Sequence, residues 1–267
     1  MRSWLIGLLA GCLAAQDPPR KPVAPATQVE ITAPDGEWFD GKRLTDLVGA
    51  ARPMAEKYSG LKFVRDPMVL AADEASWDRL IAAERPDARD HDLAVAITLA
   101  LYLPARDEVV LGPLLAHELL RRDTKDGPSR LPFLVHELVH VLQEQHFQLG
   151  SRLKAASVAD EKLVLRAMNE GFATWVEEQV AVVEFALADY SEKNTRKHRR
   201  NARMEYIRGR DFFARLRERG GEKAMHDAMR GPPLKLFDFV RIATARPAEA
   251  KPDDDKAGDG KRERDGK

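Results

Sequence analysis

Between residues 131 and 149 the chain reads LPFLVHELVHVLQEQHFQL. Its apolar residues, Phe133, Leu134, Val135, Leu138, Val139, Val141 and Leu142, fall on nearly every side of a helix. A helix that is apolar all round belongs in a core. Yet this one carries His136, Glu137 and His140, and buried polar groups cost free energy unless something pairs with them. Residues four apart share a helix face, so both imidazoles can point at one ion. Zinc accepts neutral imidazole nitrogens and leaves room for a third protein ligand and a water. Glu137 reaches the rim of the same place, where it can take a proton from that water. The competing reading is a pair of core histidines satisfied by hydrogen bonds, with no ion.

At 267 residues the chain supports one sizeable domain with tails. Its 43 basic and 43 acidic residues balance, which argues against a nucleic-acid partner held by net charge. Residues 1–15, MRSWLIGLLAGCLAA, read as a targeting segment, too short to span a bilayer as a permanent helix. Leu9-Ala10-Gly11-Cys12 resembles the lipobox of bacterial lipoprotein signals, in which the chain is cut before the cysteine and the cysteine is lipidated. Cys12 is the sole cysteine, which fits an attachment site and excludes an intramolecular disulfide or a thiolate zinc cluster. An ordinary secretory signal cut near Ala14 or Ala15 is the alternative. The expectation is an exported protein anchored on the extracytoplasmic side of a membrane through Cys12, or else secreted or periplasmic. Residues 16–28 are proline-rich and read as a tether. Residues 246–267 carry mixed charge without a large apolar side chain and read as a disordered tail. The folded domain is expected over 29–245.

Within it the pattern predicts a helix over 44–58 with a break or kink at Pro53, and an extended stretch over 61–70 that Pro67 confines to a sheet edge or divides. Helices are expected over 76–84, 91–103 and 114–121, with a strand at Glu108–Leu111 and a polar turn over 123–129. The motif helix is expected over 131–148, stopped by Gly150. A long helix over 159–190 follows, then helices over 195–219 and 222–230 divided by Gly220-Gly221. The fold class is mainly α with a small N-terminal β-sheet, that is, α+β.

The third ligand has two candidates. Glu170 lies thirty residues after His140 in Asn169-Glu170-Gly171-Phe172-Ala173, on a second helix able to pack against the first. Asn-Glu-Gly-x-Ala resembles the glutamate helix of the gluzincins, the thermolysin-like group. Gly171 beside it allows close helix approach. His146, six residues after His140, matches the spacing of the metzincin pattern, but Gln143 stands where that pattern has the glycine that turns the chain. His117-Glu118 begins like the motif and ends at Arg121, which cannot ligate a cation. In thermolysin-like enzymes an aspartate four residues after the glutamate ligand bonds a ligand histidine; here that position is Thr174. Such enzymes also use a tyrosine or histidine on the oxyanion, for which Tyr206 and His226 are candidates. Glu177 and Glu178, further along, read as solvated.

Three blocks, LVHELVHVLQEQHFQL, AMNEGFATWVEEQV and YIRGRDFFARLRERGGEKAMHDAMRGPP, together resemble a group of prokaryotic envelope-associated zincin-like proteins, over roughly residues 90–235. The likeness departs after Pro232-Pro233, where Leu234-Lys235-Leu236-Phe237-Asp238 replaces a segment with Ser/Thr and Glu or His. The resemblance implies a zincin-like metallopeptidase architecture, one zinc ion and no other metal, and a peptide or protein substrate. His136, His140 and Glu170 would be ligands and Glu137 the general base. A peptide would align by strand addition, for which Glu108–Leu111 is the candidate edge. The alternatives are a non-catalytic binding or assembly lipoprotein on the same scaffold, and a cell-wall amide as substrate.

Overall fold

The computed structural model describes residues 29–86, 91–120, 127–192 and 203–245. The targeting segment with Cys12, the 16–28 tether and the 246–267 tail therefore lie outside the described residues, as do 123–126 and 195–202.

The described chain is mainly helical around one three-stranded sheet. α1 (Gly41–Ser59) opens at Asp40, whose carboxylate accepts from the Arg43 amide at 3.1 Å, a cap that satisfies one orphan donor. Pro53, expected to break or kink this helix, does not break it. It lies on the exposed side, where water can reach the carbonyl that loses its partner, so the helix tolerates it. β1 (Met68–Ala71) follows Pro67, then α2 (Glu74–Glu84), α3 (His91–Ile97), β2 (Ala100–Leu103) and β3 (Glu108–Leu111).

The sheet order is β1-β3-β2, with β1 parallel and β2 antiparallel to β3. β3 is thus central, not the edge strand the sequence suggested. Its apolar run carries the reason: Val109, Val110 and Leu111 are all fully buried, because alternate side chains serve two faces. Val109 and Leu111 join the main core, whereas Val110 packs with Trp77, Leu80 and Ile81 of α2 on the other side. Helix was expected through 103, yet Ala100–Leu103 is strand β2. A short run apolar at almost every position fits either state, and pairing with β3 decides it.

α4 (Pro113–Leu120) leads to α5 (Gly127–Phe147), which starts a turn earlier than expected and takes in residues assigned to a polar turn. α5 packs against α1, α4, α7 and the sheet. It ends because Gln148 adopts a left-handed conformation, φ 52, and the chain re-enters helix as α6 (Leu149–Ala155). Gly150, expected as the stop, lies inside α6. A Cβ there would meet the Pro104 ring at 2.9 Å, so its small size serves close packing. α7 (Ala159–Phe185) stops at left-handed Ala186, earlier than expected. A π-helical turn (Arg203–Arg208) runs into α8 (Gly209–Arg230), kinked at Gly220 and Gly221 where a division was expected. α9 (Leu236–Thr244) is a helix beyond those expected. It buries Phe239 and Ala243 and stacks Phe239 on Phe212 of α8, ring centroids 4.5 Å apart. Among the described residues no helix is long and apolar enough to cross a membrane.

Candidate metal centre

α5 and α7 lie side by side in the core and bring three donors together. His136 and His140, one turn apart on α5, are each 7% exposed, with ring centroids 4.8 Å apart. Glu170 reaches them from α7: its Oε2 lies 3.5 Å from His136 Nε2 and 3.7 Å from His140 Nε2. The three donor atoms all lie within 4.8 Å of one another. Two donors at about 2.1 Å from a tetrahedral zinc stand roughly 3.4 Å apart. The two histidine–glutamate separations are close to that edge length and the third pair lies within 4.8 Å, so the cluster could hold a metal ion.

The outer nitrogens decide which ring atoms face the cluster. His136 Nδ1 meets Glu177 Oε2 at 2.8 Å. A carboxylate only accepts, so Nδ1 carries a hydrogen and Nε2 is the nitrogen that faces the cluster. His140 Nδ1 meets Gln143 Oε1 at 2.9 Å. The Gln143 amide nitrogen donates to the carbonyl of Asn169 at 3.0 Å, which leaves its oxygen to accept from His140. Gln143 is completely buried. It therefore orients one histidine and ties α5 to the very turn of α7 that carries Glu170. In the sequence Gln143 stands out only as the residue in place of a glycine. Its position three residues after His140, inside an apolar helix, was the available signal.

Charge around the two rings is strongly negative. Burial raises the Glu137 carboxyl, and the nearby histidines only partly offset this. Burial would raise Glu170 too, but the charge of His140 and the bonds of His136 and Tyr206 outweigh it and bring it down to about 2. Burial works against a charged His136, yet Glu170 and Glu177 more than compensate and hold its pKa well above the usual range. Three carboxylates, Glu137, Glu170 and Glu177, thus demand positive charge at the centre, from a proton or a cation. Among the described residues no hydrogen bond engages the Glu137 carboxylate.

Tyr206 is brought in by the π-helical turn. Its ring stacks on His136, centroids 6.4 Å apart and 22° between planes, and its hydroxyl bonds Glu170. The charge of Glu170, then burial, holds that hydroxyl well above its ordinary pKa. The turn reaches this far because α7 and α8 cross in backbone contact at Gly171 and Gly209. A Cβ on Gly171 would come within 2.2 Å of the Gly209 carbonyl carbon.

Three expectations fail. Thr174 does not support a ligand histidine: its hydroxyl is buried with no partner among the described residues. The support comes from Glu177, two turns beyond Glu170, where α7 again faces His136. Glu177 and Glu178 were read as solvated and are 3% and 7% exposed. Tyr190 donates to Glu177, while Arg210 and Ser191 engage Glu178. His226 is not at the cluster. Its ring bonds the Ser59 carbonyl at 2.8 Å and packs on Phe147 and Phe172. His146, the alternative ligand, is exposed and bonds the Lys62 carbonyl at 2.7 Å. The helix runs on through Gln143, so His146 leaves the face of His136 and His140. His117 packs edge-on against Trp38, and Glu118 pairs with Arg130.

Comparison with protein-family models, with curated proteins and with solved structures gives no match.

Proposed function

We propose that the chain is a zinc-dependent, peptidase-like hydrolase of the cell envelope, built as a zincin-like metallopeptidase with a gluzincin-type HExxH…E ligand set. One observation carries the reading: two imidazoles and a carboxylate from adjacent core helices converge with their donor atoms within 4.8 Å of one another, and a glutamate follows the first imidazole. A bare pair of satisfied core histidines would not need Glu170 facing both inward nitrogens.

In this reading His136, His140 and Glu170 hold one zinc ion. Bound there, zinc supplies a Lewis acid that polarises a substrate carbonyl and acidifies a water. The chain's residues do the rest. Glu177 and Gln143 keep the two imidazoles in the ligating tautomer. Glu137, raised by burial toward the working range of a general base, takes a proton from the attacking water and returns it to the leaving amine nitrogen. Tyr206, held protonated, offers a hydroxyl for the oxyanion. Strand addition on Glu108–Leu111 is not available, since both its edges are paired. The substrate class proposed is a peptide or protein.

Metal analysis of the purified chain tests the site: one zinc per chain is expected. Glu170→Gln should weaken zinc affinity by more than the roughly 10–100-fold that loss of an outer hydrogen-bond partner costs. His146→Ala should match the parent in a competitive chelator titration. Tight zinc in Glu170→Gln together with metal loss in His146→Ala would transfer the third ligand to His146.

The envelope location rests on the N-terminal sequence, with a lipid on Cys12 as the anchor. Cys12→Ser is expected to abolish lipid attachment and leave the precursor uncut before residue 12. Intact-mass measurement checks this, and a parent beginning near Ala15 without lipid would replace the anchor by simple export.

A further inference from the structure

We infer that Glu177 and Tyr190 form a positioning pair that fixes the orientation and tautomer of the His136 imidazole and thereby sets metal affinity at the site. This rests on the metal-site reading above and extends it to residues that touch neither ion nor substrate.

The geometry begins with α7. Glu170 and Glu177 lie seven residues apart, two turns along one face of the helix. One helix therefore addresses both nitrogens of a single ring: Glu170 stands 3.5 Å from His136 Nε2, and Glu177 stands 2.8 Å from Nδ1. An imidazole gripped from both ends cannot rotate or change tautomer without breaking a contact. Such a grip keeps Nε2 aimed at the donor cluster, where a bound ion would take its lone pair.

Glu177 is itself held. Its second oxygen, Oε1, accepts the Tyr190 hydroxyl at 2.5 Å. Each carboxylate oxygen thus has one donor, which fixes the plane of the group and keeps Oε2 turned to His136. Tyr190 lies beyond the end of α7, just after a turn closed by Leu187 N to Ala181 O and Tyr190 N to Leu187 O. Its ring packs edge-on against Phe133, centroids 6.4 Å apart, one turn before His136 on α5. A parallel clasp holds the same segment from the next residue: Ser191 donates to Glu178, which also pairs with Arg210. Two consecutive buried carboxylates therefore grip two consecutive hydroxyls thirteen residues on. Only the first clasp continues to a metal-site histidine. A purely structural role would make the two clasps equivalent, so Ser191 is the control.

The test is a competitive zinc titration of the full chain and of Glu177→Gln, Tyr190→Phe and Ser191→Ala, with the thermal midpoint of each measured in chelator. Glu177→Gln should bind zinc about 10–100-fold more weakly. Tyr190→Phe should lose about three- to tenfold, the worth of one hydrogen bond. Ser191→Ala should lower the thermal midpoint and leave zinc affinity at the parent value. In the zinc-loaded parent the His136 Nδ1–H proton should resonate far downfield. It should move upfield in Glu177→Gln and stay in place in Ser191→Ala. Should Glu177→Gln fail to fold, Tyr190→Phe carries the test alone, because phenylalanine keeps the ring on Phe133. Parent affinity in both Glu177→Gln and Tyr190→Phe, or an equal loss in Ser191→Ala, overturns the pair while leaving the metal site standing. A parent that takes up no zinc removes the metal reading and the pair with it.

Discussion

Glu137→Gln is expected to keep one zinc per chain and to lose peptide hydrolysis by about three orders of magnitude or more. Glutamine matches glutamate in shape, so the packing of α5 around residue 137 is undisturbed. What is lost is the ability to accept a proton, since an amide oxygen is far too weak a base. Residue 137 belongs to no part of the donor cluster, which consists of His136, His140 and Glu170, so metal content should not follow activity. Stability should move the opposite way. A carboxyl whose pKa is raised in the folded state favours folding when protonated and opposes it as the pH rises past its unfolded value. At neutral pH, with metal chelated, the neutral variant should therefore melt no lower than the parent. Turnover of a quenched-fluorescent peptide library, metal analysis and a melting curve check the three statements together. Hydrolysis unchanged in Glu137→Gln would remove the general base. An inactive parent with full zinc would favour the non-catalytic binding protein.

The part of this site that can be read in the sequence is the part fixed by spacing along one helix. His136 and His140 declare themselves because four residues is nearly one turn and the flanking residues are apolar. Glu170 is legible for a different reason: a glycine beside a glutamate in an apolar helix needs a neighbour at short range. Glu177 and Glu178 were hidden by their own appearance. Two adjacent acids on a helix ordinarily face water, and their burial depends on hydroxyls and an arginine brought in from later in the chain. Their spacing of seven and eight from Glu170 was the only clue. It becomes meaningful once α7 is known to lie along α5. The misread elements follow the same logic. Ala100–Leu103 carries no helix or strand preference strong enough to decide, and β3 decides it from outside. Gly150 carries the composition of a helix stop, but the pressure there is the Pro104 ring, which no local pattern announces.

Gly171→Ala should cost about 3 kcal/mol of stability, at the upper end of what overpacking a core costs. Adding a methyl to a helix interior usually helps: alanine is about 1 kcal/mol better than glycine by intrinsic propensity. Gly49 shows the expected sign where nothing intervenes. It lies on the exposed side of α1 with nothing within 4 Å of an added Cβ, so Gly49→Ala should stabilise by roughly 1 kcal/mol. At Gly171 the same methyl would stand 2.2 Å from the Gly209 carbonyl carbon and 2.3 Å from its Cα. These are backbone atoms of α8, and no rotamer change can clear them. At Gly209 an added Cβ would stand 2.1 Å from the Ala167 carbonyl oxygen and 2.7 Å from the Gly171 Cα, so Gly209→Ala should fail in the same direction. Either methyl must push α7 and α8 apart, and the displacement acts where it matters. Glu170 precedes Gly171, and the turn bearing Tyr206 ends at Arg208, just before Gly209, so both groups ride on the helices that separate. The variants should therefore lose zinc affinity as well as stability, while Gly49→Ala keeps both. Denaturant unfolding and chelator titration of the three measure this. A Gly171→Ala protein as stable and as tight for zinc as Gly49→Ala would mean that the backbone contact between α7 and α8 does not set the site.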